Sequence, residues 1–307
     1  MTANTRPLPA TDAQPIAATR LAAYLQAQRD ALVAAEGQAL DGDATAYIGM
    51  LGAVRRARSA LTVYRATVGG HREIRRLIEE LRWFGYDLDL FHDLDVQRTR
   101  IAAALALLRP SHVQGPVRAR IGAYFDVRIR PARIIAEDAL DSDRYRTLRG
   151  DLADAVGLLH GSAAWPDTHP VDDSIAELVD RMRLRMHTVT GALGEDAHDA
   201  AVHDVRKVVR RARYFAEAMR DLDPVRFDHA RTELAAVQDL LGEHHDAVVA
   251  KNHLVQLARE ADNADEPTFT YGMLCQRQLD ITERCGRELP AACARALEAL
   301  AACRSSR

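Results

Sequence analysis

The amino-acid sequence predicts an all-α protein built from two related helical bundles. Alanine and leucine are abundant, whereas aromatic residues make up only 5% of the 307 residues, a composition that favours helix over strand. Apolar residues recur with helical periodicity along most of the chain, and no stretch shows the alternation typical of a strand. Two motifs also occur twice in the same order, which indicates an internal duplication.

Periodicity divides the first half of the chain into five helices. We expect them at about 16–39, 44–68, 71–108, 115–140 and 143–160. Gly69-Gly70 is expected to end the second helix, Pro110 to end the third, and Ser142 to cap the fifth. Pro131 predicts a kink or break in the fourth helix.

The second half repeats this layout after a segment, 161–171, whose Gly, Pro, Ser and Thr residues predict a linker. We expect helices at about 173–193, 195–220, 224–261 and 266–302, the last of them interrupted at Pro290. The first 14 residues have no apolar stretch and predict a disordered tail. The predicted organisation is a tail at 1–14, a first bundle at 15–160, the linker at 161–171, and a second bundle at 172–304.

The densest cluster of cationic side chains lies in the segment 203–213, which reads HDVRKVVRRAR. At 3.6 residues per turn, four of its side chains fall on one stripe and two more flank it. The stripe is His203, Arg206, Arg210 and Arg213, and the flanking cations are Lys207 and Arg211. Like charges one turn apart repel, so such a stripe indicates an anionic partner, and guanidinium fits phosphate best. A solvated helix face is the alternative interpretation of a charge run.

Both repeated motifs contain charged residues. The Val-Arg-Arg-Ala-Arg sequence at 209–213 recurs at 54–58, which aligns Arg55, Arg56 and Arg58 with the second-half arginines. The segment 88–96 aligns with 241–249, so that His92-Asp93 matches His245-Asp246. A repeat this long predicts two duplicated subdomains rather than a solenoid of short units.

Composition excludes several classes of function. With 44 acidic and 41 basic residues, the net charge is −3, which does not indicate a uniformly basic nucleic-acid binder. The four cysteines form no Cys-x-x-Cys pair and read as free thiols, which predicts a cytoplasmic protein. No apolar run approaches membrane-spanning length, so we expect no membrane partner. The sequence also has no phosphate-binding loop, dinucleotide fingerprint or Gly-x-Ser-x-Gly motif.

Two alternative functions remain open at this point. His-Asp dipeptides at 92–93, 203–204 and 245–246 suit a metal-dependent phosphohydrolase, with Asp95 and His244 as further candidate ligands. Adjacent residues on a helix point about 100° apart, so a single dipeptide cannot chelate a metal. We therefore expect no metal, no cofactor and no catalytic residue. A nucleic-acid-binding helical protein is the second alternative, which the net charge and the few aromatic residues disfavour.

These residues together resemble the conserved histidine α-helical domain family, CHAD, over about 16–302. The resemblance rests on 203–213 with the Leu-Gly-Glu-His-His-Asp run at 241–246, on Leu81-Arg82-Trp83, on 92–96, and on Ser142-x-Arg144-Tyr145-x-x-Leu148. It implies two antiparallel four-helix-type bundles related by a pseudo-two-fold axis, with basic residues lining a central groove. It also implies non-catalytic binding of inorganic polyphosphate and recruitment to polyphosphate granules.

The candidate polyphosphate-binding residues come from both halves. They are Arg55, Arg56, Arg58, Arg82, His92, Arg144, His203, Arg206, Lys207, Arg210, Arg211, Arg213 and His245. Ile48 and Leu51 stand where the second half has His203 and Arg206, so we expect the second half to dominate binding. The histidines of the set are expected to add positive charge as pH falls, because histidine titrates near neutrality. The sequence identifies no protein partner.

Overall fold

The computed structural model describes residues 16–41, 43–64, 72–161 and 170–304, and in these ranges the chain is helical, without a strand. The α-helices are α1 (Ile16–Leu40), α2 (Ala44–Tyr64), α3 (Arg72–Ala106), α4 (Val117–Asp141), α5 (Asp143–Gly161), α6 (Pro170–Gly191), α7 (Glu195–Met219), α8 (Pro224–Asp262) and α9 (Phe269–Ala301). The all-α prediction is confirmed. None of the described helices combines the length and apolarity needed to cross a bilayer.

Helix ends mostly follow the capping signals in the sequence. Ser142 Oγ accepts a hydrogen bond from the backbone N–H of Tyr145 at 3.1 Å, which confirms the predicted N-cap of α5. The Asp223 side chain caps α8 by accepting from the Arg226 N–H, and Pro224 occupies the first turn. The predicted tail, the Gly69-Gly70 stop and most of the predicted linker lie outside the described residues.

Two predicted helix interruptions do not occur. Helix α4 continues through Pro131, and α9 continues through Pro290, so a break at either proline is wrong, while the kink expected as the alternative at Pro131 stays a prediction. A proline inside a helix removes one backbone hydrogen bond. Here one buried neighbour of each proline, Ala132 in α4 and Leu289 in α9, keeps the adjoining turn packed in the protein interior. Tertiary packing therefore outweighs the local preference.

The hydrophobic core consists of two clusters, and each combines both halves of the chain. The larger cluster contains side chains from all nine helices. The smaller one joins the ends of α3 and α4 that flank their connection, from Ile101 to Phe125, to the corresponding parts of α8 and α9, from Ala250 to Leu274. The segment 161–171 therefore does not divide the hydrophobic core of the described residues into two. The internal duplication and the boundaries of the two bundles stay predictions.

A polar layer separates the two clusters along α3 and α8. Arg100 of α3 donates hydrogen bonds to both carboxylate oxygens of Glu243 in α8, at 3.1 and 3.0 Å. Its Nε donates to Gln278 Oε1 of α9 at 2.9 Å. The hydrogen bond from Arg100 holds the pKa of Glu243 below its usual range. This network fixes the middle of α3 against α8, next to the aligned His-Asp segments.

Candidate functional site

The two aligned basic segments lie side by side because α2 packs against α7. Three half-buried arginines occupy this junction: Arg58 from α2, and Arg206 and Arg210 from α7. No carboxylate of the described residues lies within 4.0 Å of these three guanidinium groups. Asp246 of α8 and Asp93 of α3 influence Arg206 at longer range. The junction therefore concentrates positive charge that direct ion pairs do not neutralise.

Burial and neighbouring cations disfavour the charged forms of these arginines. For Arg210 the loss of solvation is the main cause, the charges of Arg55 and Arg206 add to it, and the pKa falls to about 10. Burial is also the largest cause of the lowered pKa of Arg206 and of Arg58. All three remain protonated at pH 7, so a bound anion would relieve a desolvated cluster of like charges.

Arg55 differs from its aligned counterpart, Arg210, in having a carboxylate partner. Asp89 of α3 accepts a hydrogen bond from Arg55 Nη2 and forms an ion pair with it. In the alignment of the two halves, Gly242 of α8 occupies the position of Asp89. At the junction of α2 and α7, the second half thus provides two arginines without an ion pair, Arg206 and Arg210. The first half provides one, Arg58. This asymmetry supports the expectation that the second half dominates binding.

His203 and His245 are neutral bases in the free protein. The rings of His203 and His245 have their centroids 5.4 Å apart. Burial is the main cause that lowers the pKa of His245 to about 4, followed by the charge of Arg206. Burial, then the charge of Lys207, also lowers the pKa of His203. These two rings therefore become protonated at a lower pH than the sequence predicts, and a bound anion nearby would favour their protonation.

A groove between α2, α3 and α7 contains most of the candidate arginines. Its inner end is a cavity of about 420 Å³ lined by Arg58, Ser59, Thr62, Ile78, Glu79, Arg82, Lys207, Arg210 and Arg211. Its outer end is a cavity of about 430 Å³ lined by Arg58, Glu79, Arg82, Trp83, Tyr86, Asp89 and Arg144. Because Arg58, Glu79 and Arg82 line both cavities, the two are adjoining parts of one surface, which we call the basic groove.

Four further candidates lie beside the basic groove. Arg206, His203 and His245 continue the α7 stripe from Arg210 toward α8, and His92 lies close to Asp246. Burial raises the pKa of Asp246, while Arg206 opposes that shift. The sequence suggests two roles for this carboxylate, a metal ligand or, more commonly, a group that orients a nearby arginine. Among the described residues, no group of three His, Cys, Asp or Glu side chains is placed to hold a metal ion.

Arg56 and Arg213 lie away from both cavities, at the α2–α7 contact. Arg56 Nε is 3.2 Å from Glu217 Oε1, and its guanidinium lies 5.6 Å from the centre of the Tyr214 ring. The guanidinium of Arg213 lies 5.9 Å from the centre of the same ring. Helical periodicity places Arg213 on the cationic stripe, and its guanidinium lies against Tyr214 of its own helix, α7.

Arg144 forms a wall of the outer end of the basic groove. Its Nε donates to Glu80 Oε2 at 2.6 Å, and its guanidinium lies 3.9 Å from the centre of the Trp83 ring. Arg82 is exposed, with Nη1 3.7 Å from the nearest carboxylate oxygen of Glu79. Sequence analysis missed Tyr86, whose position one turn after Arg82 could have identified it as a neighbour on the same helix face.

Comparison with known proteins identifies the family to which the chain belongs. The family model of the CHAD domain matches residues 23–255, and the chain belongs to this family. Its fold is that of the CHAD domain from the plant Ricinus communis, with 25% identity and a TM-score of 0.69 over 99% of both chains. PptA from Streptomyces chartreusis shares the fold at 21% identity and a TM-score of 0.68, over 90% of this chain and 98% of PptA.

Two curated relatives come from Mycobacterium tuberculosis. Uncharacterized protein MT2285 of strain CDC 1551 / Oshkosh is 34% identical over 243 residues, which is 78% of this chain and 45% of the relative. Uncharacterized protein Rv2226 of strain ATCC 25618 / H37Rv matches with the same identity and coverage. The chain therefore spans about half the length of the curated relatives that it matches.

Proposed function

We propose that this protein binds inorganic polyphosphate along the basic groove and the adjoining α7 stripe, without catalysing a reaction. The observation that supports this most strongly is the cluster of Arg58, Arg206 and Arg210. These half-buried cations come from both halves of the chain and have no ion pair within the described residues. Polyphosphate is a flexible polyanion without bases, so repeated phosphate contacts are sufficient to recognise it.

The physical basis of binding is the replacement of repulsion between arginines by charge-assisted hydrogen bonds. Each guanidinium can donate two parallel hydrogen bonds to phosphate oxygens. Partial burial reduces screening by salt, so contacts to Arg206 and Arg210 are stronger than contacts to a fully solvated arginine. Release of counterions from the polyanion adds a further favourable contribution. Recruitment of the protein to polyphosphate granules in the cytoplasm is part of the same proposal.

The competing hypothesis of a metal-dependent phosphohydrolase has less support. The described residues contain no cluster of three metal-binding side chains. His245 is held next to Arg206, whose charge opposes the approach of a cation. Asp246 also lies near Arg206 and is therefore better placed to orient that arginine than to bind a metal.

A binding titration tests the proposed function. Polyphosphates of defined length would be titrated by calorimetry at two salt concentrations, with free phosphate measured in parallel in the presence of Mg²⁺ or Mn²⁺. We expect log affinity to fall linearly with log salt concentration, and long chains to bind more tightly than pyrophosphate because they contact several arginines at once. Equal affinity for pyrophosphate and long chains would contradict the groove, and phosphate release would establish the phosphohydrolase.

A further inference from the structure

We propose that the outer end of the basic groove binds the base of a nucleoside polyphosphate, while its phosphate chain occupies the inner end. This inference rests on the proposed function, since the same arginines would hold the phosphates. It adds a class of ligand: nucleoside triphosphates and nucleosides with longer phosphate chains.

The two ends of the basic groove have different chemistry. The inner cavity, of about 420 Å³, contains the second-half cations Lys207, Arg210 and Arg211. The outer cavity, of about 430 Å³, contains two aromatic side chains, Trp83 and Tyr86. Each volume lies within the range of ligand pockets in proteins. A molecule with an anionic chain at one end and an aromatic ring at the other matches this arrangement.

Tyr86 is the aromatic ring that is free to stack on a ligand. It is 69% exposed and lines the outer cavity, one helical turn from Arg82. Trp83 is fixed by comparison, because the Arg144 guanidinium covers its ring at 3.9 Å and its side chain packs against the hydrophobic core. Trp83 therefore forms a rigid wall, and a base can stack on Tyr86. Every nucleobase has a π-face that such a ring accepts.

Inorganic polyphosphate does not account for the chemistry of the outer end. A phosphate chain has no apolar surface to place against Tyr86 or Trp83. The carboxylates of Glu79 and Asp89, which also line this cavity, repel phosphate. The same carboxylates can accept hydrogen bonds from the exocyclic amino group of a base. The outer end thus offers a base contacts that a phosphate chain cannot make, beside the arginines that line it.

The test compares ATP and GTP with inorganic triphosphate, using calorimetry on the full chain. Stacking of one base raises affinity by about fivefold to 100-fold, so both nucleotides should bind more tightly than triphosphate. Tyr86→Ala should lower nucleotide affinity about tenfold and leave triphosphate affinity unchanged. Tyr86→Phe should retain nucleotide affinity. Phe269→Ala is the matched control, because Phe269 is an exposed aromatic residue, 52% accessible, outside the groove.

Three outcomes would overturn the inference. ATP could bind no more tightly than triphosphate, or Tyr86→Ala could weaken both ligands equally. An oligoadenylate without a terminal triphosphate could bind as tightly as ATP, which would identify a site for RNA strands. Titration with long polyphosphate separates this inference from the proposed function. If polyphosphate fails to bind but ATP affinity depends on Tyr86, the nucleotide site stands and the polyphosphate proposal fails.

Discussion

His203 of α7 and His245 of α8 face each other with their ring centroids 5.4 Å apart, within the electrostatic field of Arg206. Two bases this close, next to an arginine, oppose each other's protonation. Burial is the main reason that each ring is neutral in the free protein, although histidine alone titrates near neutrality, and the neighbouring positive charges add to this effect. A polyanion on the neighbouring arginines would reverse this effect, so that ligand binding and proton binding are coupled.

We expect the affinity for long polyphosphate to increase as the pH is lowered from about 7.5 to about 5.5. Both histidine pKa values are depressed in the free protein, and that of His245 is about 4. Bound phosphates raise these pKa values, so the complex takes up protons in this pH window and binding strengthens as pH falls. Calorimetry at about pH 6 in two buffers of different ionisation enthalpy measures the proton uptake.

The control for this coupling is the double variant His203→Gln with His245→Gln. It should bind long polyphosphate with less proton uptake and a flatter dependence on pH. Long chains are used because their few terminal phosphates contribute little to the titration. Proton uptake equal to that of the wild type would show that other groups are responsible.

Arg210→Gln should weaken polyphosphate binding about tenfold and stabilise the free protein. The substitution removes a charge-assisted contact worth about 1.5–3 kcal/mol when it is made. It also removes a half-buried cation that Arg55 and Arg206 repel, so the free energy of unfolding should rise by about 1 kcal/mol. Urea unfolding and calorimetric titration measure the two effects.

Arg55→Gln is the matched control for Arg210→Gln. It removes the aligned arginine of the first half, which is paired with Asp89. The free energy of unfolding should fall by about 1 kcal/mol, because Asp89 loses its partner. Binding should fall less than in Arg210→Gln. Two results would contradict the assignment of Arg210 as the aligned arginine without an ion pair. Both variants could lose the same binding affinity, or both could lose stability.

Gly242→Asp should give Arg210 the carboxylate that Arg55 already has. Arg206 lies near Asp246, and α7 and α8 are consecutive antiparallel helices, so one turn further places Arg210 near Gly242. A Cβ at Gly242 meets no atom within 4 Å. The new ion pair should weaken polyphosphate binding about tenfold by occupying Arg210.

Gly242→Asn separates the charge from the effect of replacing a helical glycine. Both substitutions reduce the freedom of the unfolded chain, which stabilises a helix by about 0.3 kcal/mol, because aspartate and asparagine are themselves weak helix formers. Only the aspartate provides a negative charge, so the difference between the two variants reports the ion pair. If both bind polyphosphate equally, Gly242 does not stand opposite Arg210, and the proposed alignment of the two halves is weakened.

Helices could be predicted closely from the sequence because periodicity and capping residues act locally. Ser142 is an example, since its cap involves a residue only three positions away. The breaks expected at Pro131 and Pro290 were wrong because the packing that sustains these helices involves distant residues. Local signals therefore give the helices, and contacts between distant residues determine where a helix tolerates a proline.

The candidate site could be predicted only in part, for the same reason. The stripe with Arg206 and Arg210 follows from helical geometry. The ion pairs that engage some of the candidate arginines join residues far apart in sequence, such as Arg144 with Glu80 and Arg56 with Glu217. A single sequence does not show which arginine has a distant carboxylate partner. The placement of the arginines on one helix face could therefore be predicted. Which of them lack an ion pair, and can bind a ligand, could not.

The continuity of α8 limits how the chain length can change during evolution. This helix contains Gly242, His245 and Asp246 next to the groove, and its part from Ala250 to Ala261 lies in the smaller hydrophobic cluster. One inserted residue between them would rotate one part against the other by about 100°. The groove residues and Leu254 could not then both keep their contacts. We therefore expect the stretch of α8 between the groove and the smaller cluster to change by substitution and not by insertion or deletion.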